Sequence, residues 1–245
     1  MNLFWDNAST TPVCAAAVKA CCEMMAEGYY NPSALYDKGL AVKRRVEDAR
    51  KTLATALNIK PETLTFVSGA TEANNWVMQA GFKNKNGNIV ISEGEHPSVY
   101  QPAFALKARG VDVRTVPLAP SGAIDVSAFE RAVDANTSLV SVMHCSNETG
   151  SVNPLSDLVR VVRSKAPRAL FHSDGVQAFG KLRTDLLYLD VDLYSISAHK
   201  IGGPKGIGAL YAKHPLAALL VGGGQERGLR SGTENTPGIV GFAAA

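Results

Sequence analysis

Four cysteines in 245 residues are too few and too badly spaced for a disulfide framework. Cys14, Cys21, Cys22 and Cys145 put three thiols in one early stretch and two side by side. Free thiols suit a reducing compartment, of which the cytoplasm is the simplest. Net charge is almost lacking. Lysine plus arginine is 25 and aspartate plus glutamate 22, and the resulting +3 gives no electrostatic footprint for nucleic acid or an acidic membrane. Long apolar runs are missing as well. The uncharged ones, such as Pro215 to Val221, are far short of the roughly 20 residues that span a bilayer. The opening MNLFWDNAST has neither a basic region nor a long apolar one, so no secretory leader is expected. Internal repeats and low-complexity tracts are absent, and no Cys or His pair has zinc spacing, so no metal is expected.

What is present is a globular composition. At 46% hydrophobic residues the chain can bury one large core or two smaller ones, and its 22 glycines fall in clusters. Helical patterns cover Val13–Glu27 and Leu35–Leu57, the second with Asn58 and Pro61 beyond its end. Apolar runs of strand length follow at Leu64–Val67, Asn88–Ile91, Val111–Val116, Leu139–Met143, Ala169–His172 and Leu193–Ile196. Between them lie helical patterns at Glu72–Phe82, Val99–Ala108, Val126–Val133 and Leu155–Ser164. This alternation predicts an α/β fold, a mostly parallel sheet with helices on both faces. At the other end, Thr236 reads as an N-cap and Pro237 as the first helical residue. The apolar GIVGFAAA after it stops within about two turns. That predicts a piece of something longer, with apolar surface uncovered near Pro237–Ala245.

Parallel sheets bind ligands at the carboxyl ends of their strands, and here those ends are unusually polar. SGATE follows the first strand run and brings Thr71. His96, Asn147, Asp174 with Gln177, and Ser197-Ala-His199-Lys200 follow four others. Lys200 sits before a glycine-rich turn, where desolvation makes an amine nucleophilic. A flexible surface lysine fits the same residues. Asp174 shifts the balance, because a lysine amine with a carboxylate partner for a pyridinium nitrogen is the minimal pattern of a pyridoxal 5′-phosphate (PLP) site. Asp174 also suits the N-cap of a helix. SGATE offers free N–H groups to a phosphate, a weak signal by itself. His96 can stack on a planar ring and move protons near neutral pH. His144 and His172 sit beside apolar strands and read as core residues. GVQAFGK at 175–181 starts like a nucleotide-binding loop, but Leu182 stands where a Ser or Thr must hold magnesium.

Taken in order, these segments resemble the cysteine desulfurases, within the class V aminotransferase branch of the fold-type-I PLP enzymes. The matching stretches are DNASTTP at Asp6, NPSALYDKG at Asn31, SGATEANN at Ser68, EHPSV at Glu95, MHCSNETG at Met143, FHSDGVQAFGK at Phe171, SISAHKIGGPKGIGALY at Ser195 and GGGQERGLRSGTEN at Gly222. The resemblance implies a seven-stranded, mostly parallel large domain over residues 15–245. Residues 1–14 would pack with a C-terminal small domain that this chain lacks. Lys200 would hold PLP covalently and His96 would stack on the ring as the acid/base group. Asp174 would pair with the ring nitrogen and Gln177 with the ring oxygen. Ala70, Thr71, Ser197 and His199 would bind the phosphate, helped by Thr233 from the second subunit of a homodimer. Asn147 would touch the cofactor oxygen or the substrate carboxylate, and Asn31 would also contact substrate. The implied reaction takes sulfur from L-cysteine onto an enzyme cysteine as a persulfide, leaves L-alanine, and feeds iron–sulfur or thio-cofactor assembly through an acceptor or scaffold protein. The persulfide cysteine and the carboxylate-gripping arginine of such enzymes lie beyond the RSGTEN motif, so none of the four cysteines here is assigned that role. Two other readings stay open: a selenocysteine lyase or aminotransferase of the same branch, or a silent fragment that only binds cofactor or a partner.

Overall fold

A computed structural model describes residues 3–82 and 87–245. Its centre is one seven-stranded sheet, formed by β1 (Leu64–Val67), β2 (Asn88–Ser92), β3 (Asp112–Val116), β4 (Thr137–Ser141), β5 (Leu170–Asp174), β6 (Leu193–Ser197) and β7 (Gly208–Ala212). The spatial order is β1-β7-β6-β5-β4-β2-β3. The pairs joining β3, β2, β4, β5 and β6 are parallel, and β7 runs antiparallel to both β1 and β6. The carboxyl ends of β1, β2, β4, β5 and β6 therefore share one edge with the amino end of β7. Local pattern alone does not single out β7. GALYA opens on a glycine because a Cβ at Gly208 would press on the Ile196 carbonyl, 2.6 Å away, and on the Gly69 Cα, 2.8 Å away.

Helices cover both faces. On one lie α3 (Ala70–Trp76), which continues as a π-helical turn over Val77–Gly81, and α4 (Pro97–Lys107). They bury Trp76, Met78, Val99 and Ala103 against Ile89, Ile91, Leu139 and Leu193. On the other face α2 (Asp37–Leu57), α5 (Val126–Ala132), α6 (Leu155–Lys165) and the short α7 (Leu186–Leu189) bury Leu53, Phe129 and Val159 against Phe66, Val140, Phe171 and Ile196. Neighbouring residues of a strand point to opposite faces, which is why Leu139 and Val140 belong to different cores. At roughly 25 cal/mol per Å² of apolar area, the two cores are the main stabilising term.

Two expectations about the last segment need correction. The helix α8 (Thr236–Ala244) is capped by Asn235, whose Oδ1 accepts the Gly238 N–H at 3.1 Å; Thr236 is its first residue. The segment is also not uncovered. Ile239 and Phe242 are 1% exposed, packed under α2 and against α1 (Ala15–Glu27). Exposed large apolar side chains lie elsewhere, Leu3, Phe4, Trp5, Tyr29, Leu35 and Tyr36 among them. No helix is long and apolar enough to cross a membrane among the described residues.

Candidate active site

At the shared sheet edge the strand ends enclose a cavity of about 810 Å³. The structure brings Ala70, Thr71, His96, Asn147, Asp174, Gln177, Ser197, His199 and Lys200 to its walls, together with Gly69, Lys205 and Gly206. Asp174 and Ser197 are the last residues of β5 and β6, Ala70 and Thr71 open α3 just after β1, and Lys205 and Gly206 lie in the loop that enters β7; there the backbone leaves the ladder and side chains are free to face a ligand. Thr233 lines a separate hollow of about 210 Å³ with Ser68, Gly206 and Arg230. Asn31 lies in neither. Its Oδ1 accepts the Ser33 N–H at 2.9 Å.

Asp174 is the deepest charge, 5% exposed at the end of β5. Its Oδ1 accepts the Val176 N–H at 3.0 Å and its Oδ2 accepts the Asn74 side-chain amide at 2.7 Å. The first bond closes a turn rather than starting a helix. Burial raises the acid's pKa, opposed by those two bonds and by the nearby His96 and Lys200. The next residue must be glycine, because a Cβ at Gly175 would fall inside the Tyr194 ring.

Lys200 closes a 3-10 turn, Ala198–Lys200, directly after β6. Its amine pKa is lowered by burial first and by Lys181 second, against Asp174 and Asp6. The Nζ donates to the carbonyls of Ala8 and, at 2.7 Å, of Ser9. Gln177 Nε2 donates to the same Ala8 carbonyl at 2.8 Å. The segment before α1 is thus a strap across the cavity mouth, pinned further by Thr11, whose N–H and Oγ1–H both donate to the His199 carbonyl at 2.9 Å. Burial, with Lys200 and Lys205 nearby, lowers the pKa of His199.

The reading from sequence missed several residues. Asn74 is wholly buried and joins Asp174 to Ser98. It stands three residues after Thr71, on the same side of a helix, which is the signal that would have found it. Glu95 accepts the Ser92 hydroxyl and the Met143 N–H, both at 2.7 Å, and ties the ends of β2 and β4 together. Burial pushes its pKa up to about 8, with Asp174 adding to the shift. Cys145 lines the cavity; burial raises its thiol pKa, and Lys181 pulls it down. The two core histidines are indeed packed. His172 is held between Ser141 Oγ at 2.8 Å and Ser195 Oγ at 3.0 Å, and His144 meets the Tyr194 hydroxyl at 2.8 Å. No group of three metal-binding side chains occurs among the described residues.

A buried carboxylate, an amine of lowered pKa and a polar rim of Thr71, Ser197 and His199 form the donor set that a phosphorylated pyridine aldehyde needs. The residues fit such a group.

Comparison with known proteins agrees. The aminotransferase class-V family matches residues 3–245. A cysteine desulfurase of Sinorhizobium fredii is 41% identical over 99% of this chain and 64% of its own length. Cysteine desulfurase IscS 1 of Archaeoglobus fulgidus is 36% identical over 99% of this chain and 64% of its own length. Among solved structures, a NifS-like protein superposes with a TM-score of 0.96 at 38% identity, over 99% of this chain and 68% of that one. SspA in complex with cysteine gives 0.93 at 35% identity, over 99% of this chain and 71% of that one. The chain spans less than two thirds of the length of these curated relatives.

Proposed function

The chain belongs to the aminotransferase class-V family, and from that premise we propose that it is the cofactor-binding part of a PLP-dependent cysteine desulfurase. The observation that carries this reading is one cavity with the buried Asp174 carboxylate in its wall and the Lys200 amine beside it. When bound, PLP supplies an electron sink for charge developing on the substrate carbon. The chain does the rest. Asp174 is an acceptor that keeps a proton on the ring nitrogen. Lys200 would hold the cofactor through Nζ, which here donates to the Ala8 and Ser9 carbonyls. Gln177, freed from Ala8, donates to the ring oxygen. Ala70, Thr71, Ser197 and His199 hold the phosphate, and Thr233 reaches it from the second subunit of a homodimer. His96 stacks on the ring and handles protons, and Asn147 orients the ring oxygen or the substrate carboxylate.

Residues 15–245 form the large domain in this reading. Residues 1–14, held across the cavity mouth at Ala8, Ser9 and Thr11, also pack in this reading with a second domain that carries the persulfide cysteine and the carboxylate-binding arginine. L-cysteine is the substrate, a sulfur acceptor or scaffold protein is the partner, and the cytoplasm is the compartment.

The test is reconstitution. With PLP added, the chain is expected to gain an absorbance band, and borohydride reduction to fix the cofactor's mass on Lys200. Lys200→Ala is expected to lose both with the fold intact. Supplied with its second domain, the loaded protein is expected to release alanine and sulfide from L-cysteine. No band in the wild type overturns the cofactor site. Amino transfer to a keto acid without sulfide release moves the protein to another member of the branch.

A further inference from the structure

His96 and Asp174 lie on different strand ends, yet an unbroken chain of hydrogen bonds connects them. Asn74 on α3 is 0% exposed, and its Nδ2 donates to Asp174 Oδ2 at 2.7 Å and to Ser98 Oγ at 2.8 Å. Ser98 Oγ lies 2.7 Å from His96 Nδ1, and the Ser98 N–H donates to the same nitrogen at 3.1 Å. Hydrogen-bond bookkeeping then assigns the His96 tautomer. Asp174 Oδ2 accepts from the Asn74 amide, which therefore points its nitrogen at the acid. The second amide hydrogen occupies a lone pair of Ser98 Oγ. The Ser98 backbone N–H can only donate to Nδ1, so the serine hydroxyl, 2.7 Å from the same nitrogen, is left to donate to it as well. Two donors converge on Nδ1, so that atom bears no proton, and the neutral ring carries its proton on Nε2. Asn74 Oδ1 is buried with no partner. An amide that leaves its oxygen unsatisfied in order to aim both hydrogens is held by its two acceptors rather than by solvation.

We propose that Asn74 and Ser98 are positioning residues that fix the His96 tautomer, so that the ring meets a bound cofactor or substrate with an Nε2–H donor. His96 then begins its proton handling as the donor, through Nε2. The functional half of this inference rests on the cavity being a PLP site; the tautomer does not.

The experiment therefore has a ligand-free arm and a loaded arm. In the unliganded chain with 15N-labelled histidine, the His96 ring, assigned by its loss in His96→Gln, is expected to show a protonated Nε2 and a bare Nδ1. Ser98→Ala removes the hydroxyl donor, and the ratio of the two tautomers is expected to fall about fivefold, the worth of one ordinary hydrogen bond. Ser98→Thr keeps a hydroxyl and is expected to restore the wild-type pattern. Asn74→Ala frees the serine hydroxyl to turn and is expected to act as Ser98→Ala does. A proton on Nδ1 in the wild-type ring overturns the proposal without any variant. An unchanged ratio in both Ser98→Ala and Asn74→Ala also overturns it. In the loaded arm, PLP affinity measured by fluorescence is expected to drop about fivefold in Ser98→Ala and to recover in Ser98→Thr. Unchanged affinity beside a changed tautomer removes the functional half alone. Failure of the wild-type chain to bind PLP counts against the cofactor reading and leaves the tautomer result standing.

Discussion

Burying an ionisable group against its preferred charge state makes stability depend on pH, and in this chain the histidines and the acids so buried act in opposing directions. His172 and His144 are driven down to about 3 and about 4 by burial. Unfolded, each binds a proton near pH 6.5. Between those limits the unfolded chain holds more protons, so stability falls as pH drops below about 6.5. Glu95 works the other way. Its folded pKa of about 8 lies above the unfolded value. The folded state keeps the proton while the unfolded one loses it, and stability declines as pH rises towards 8. Thermal melts across pH 5 to 9 are expected to peak at about pH 6.5. Glu95→Gln is expected to flatten the alkaline side and leave the acid side in place. A wild-type curve still rising from pH 7 to 9 would contradict the Glu95 assignment.

At the scale of elements, glycine-rich loops hold their shape only where something anchors them. The 222–232 loop is fastened twice. Arg50 on α2 pairs both guanidinium nitrogens with Glu226 at 2.8 Å, and Glu226 also accepts the Phe66 N–H at 2.8 Å. Arg230 grips Glu72 of the SGATE turn at 2.8 Å, and Glu72 accepts the Ser68 N–H at 2.7 Å. Glu226 and Arg227 both sit at positive φ, a strained conformation that such anchoring sustains. Breaking a buried pair leaves an uncompensated charge, so Glu226→Ala is expected to cost about 3 kcal/mol in urea unfolding. It is also expected to speed amide exchange over 222–232. Arg50→Met together with Glu226→Met removes both charges and is expected to recover most of that loss. Gly175→Ala tests the turn after Asp174. With the Tyr194 ring in the way, it is expected to destabilise the fold by about 2 kcal/mol. It should also displace Asp174, which PLP binding reads out.

Element by element, the alternation of strand and helix was legible because core contacts follow the period of each element. Boundaries moved by a residue or two where caps decide, as at Asn235. β7 was illegible for a physical reason: five small and apolar residues carry no period of their own, and their place between β1 and β6 comes from pairing.

For the whole molecule, Leu3, Phe4, Trp5, Leu35 and Tyr36 leave large apolar side chains in solvent; Trp5 is 84% exposed and Leu35 is 90% exposed. Large apolar side chains left this exposed favour contact with another surface. Self-association is therefore expected in sedimentation equilibrium. Trp5→Ser with Leu35→Ser is expected to weaken it while changing monomer stability by no more than about 0.5 kcal/mol per site, as for other surface substitutions. A wild-type chain that stays monomeric at high concentration would refute this.

The sequence by itself determined which chemistry reaches the sheet edge, because a polar or glycine-bearing turn after an apolar run is a local signal. It placed Lys200, Asp174, His96 and Thr71 at strand ends without reference to any contact. Only the tertiary structure decided which of them touch, and through what. Asn74 meets Asp174 across 100 positions and Arg50 meets Glu226 across 176. α8 is covered by helices from the other end of the chain. Periodicity and turn preference act over a few residues, whereas hydrogen bonds between distant segments exist only after the two cores have packed and set those segments side by side.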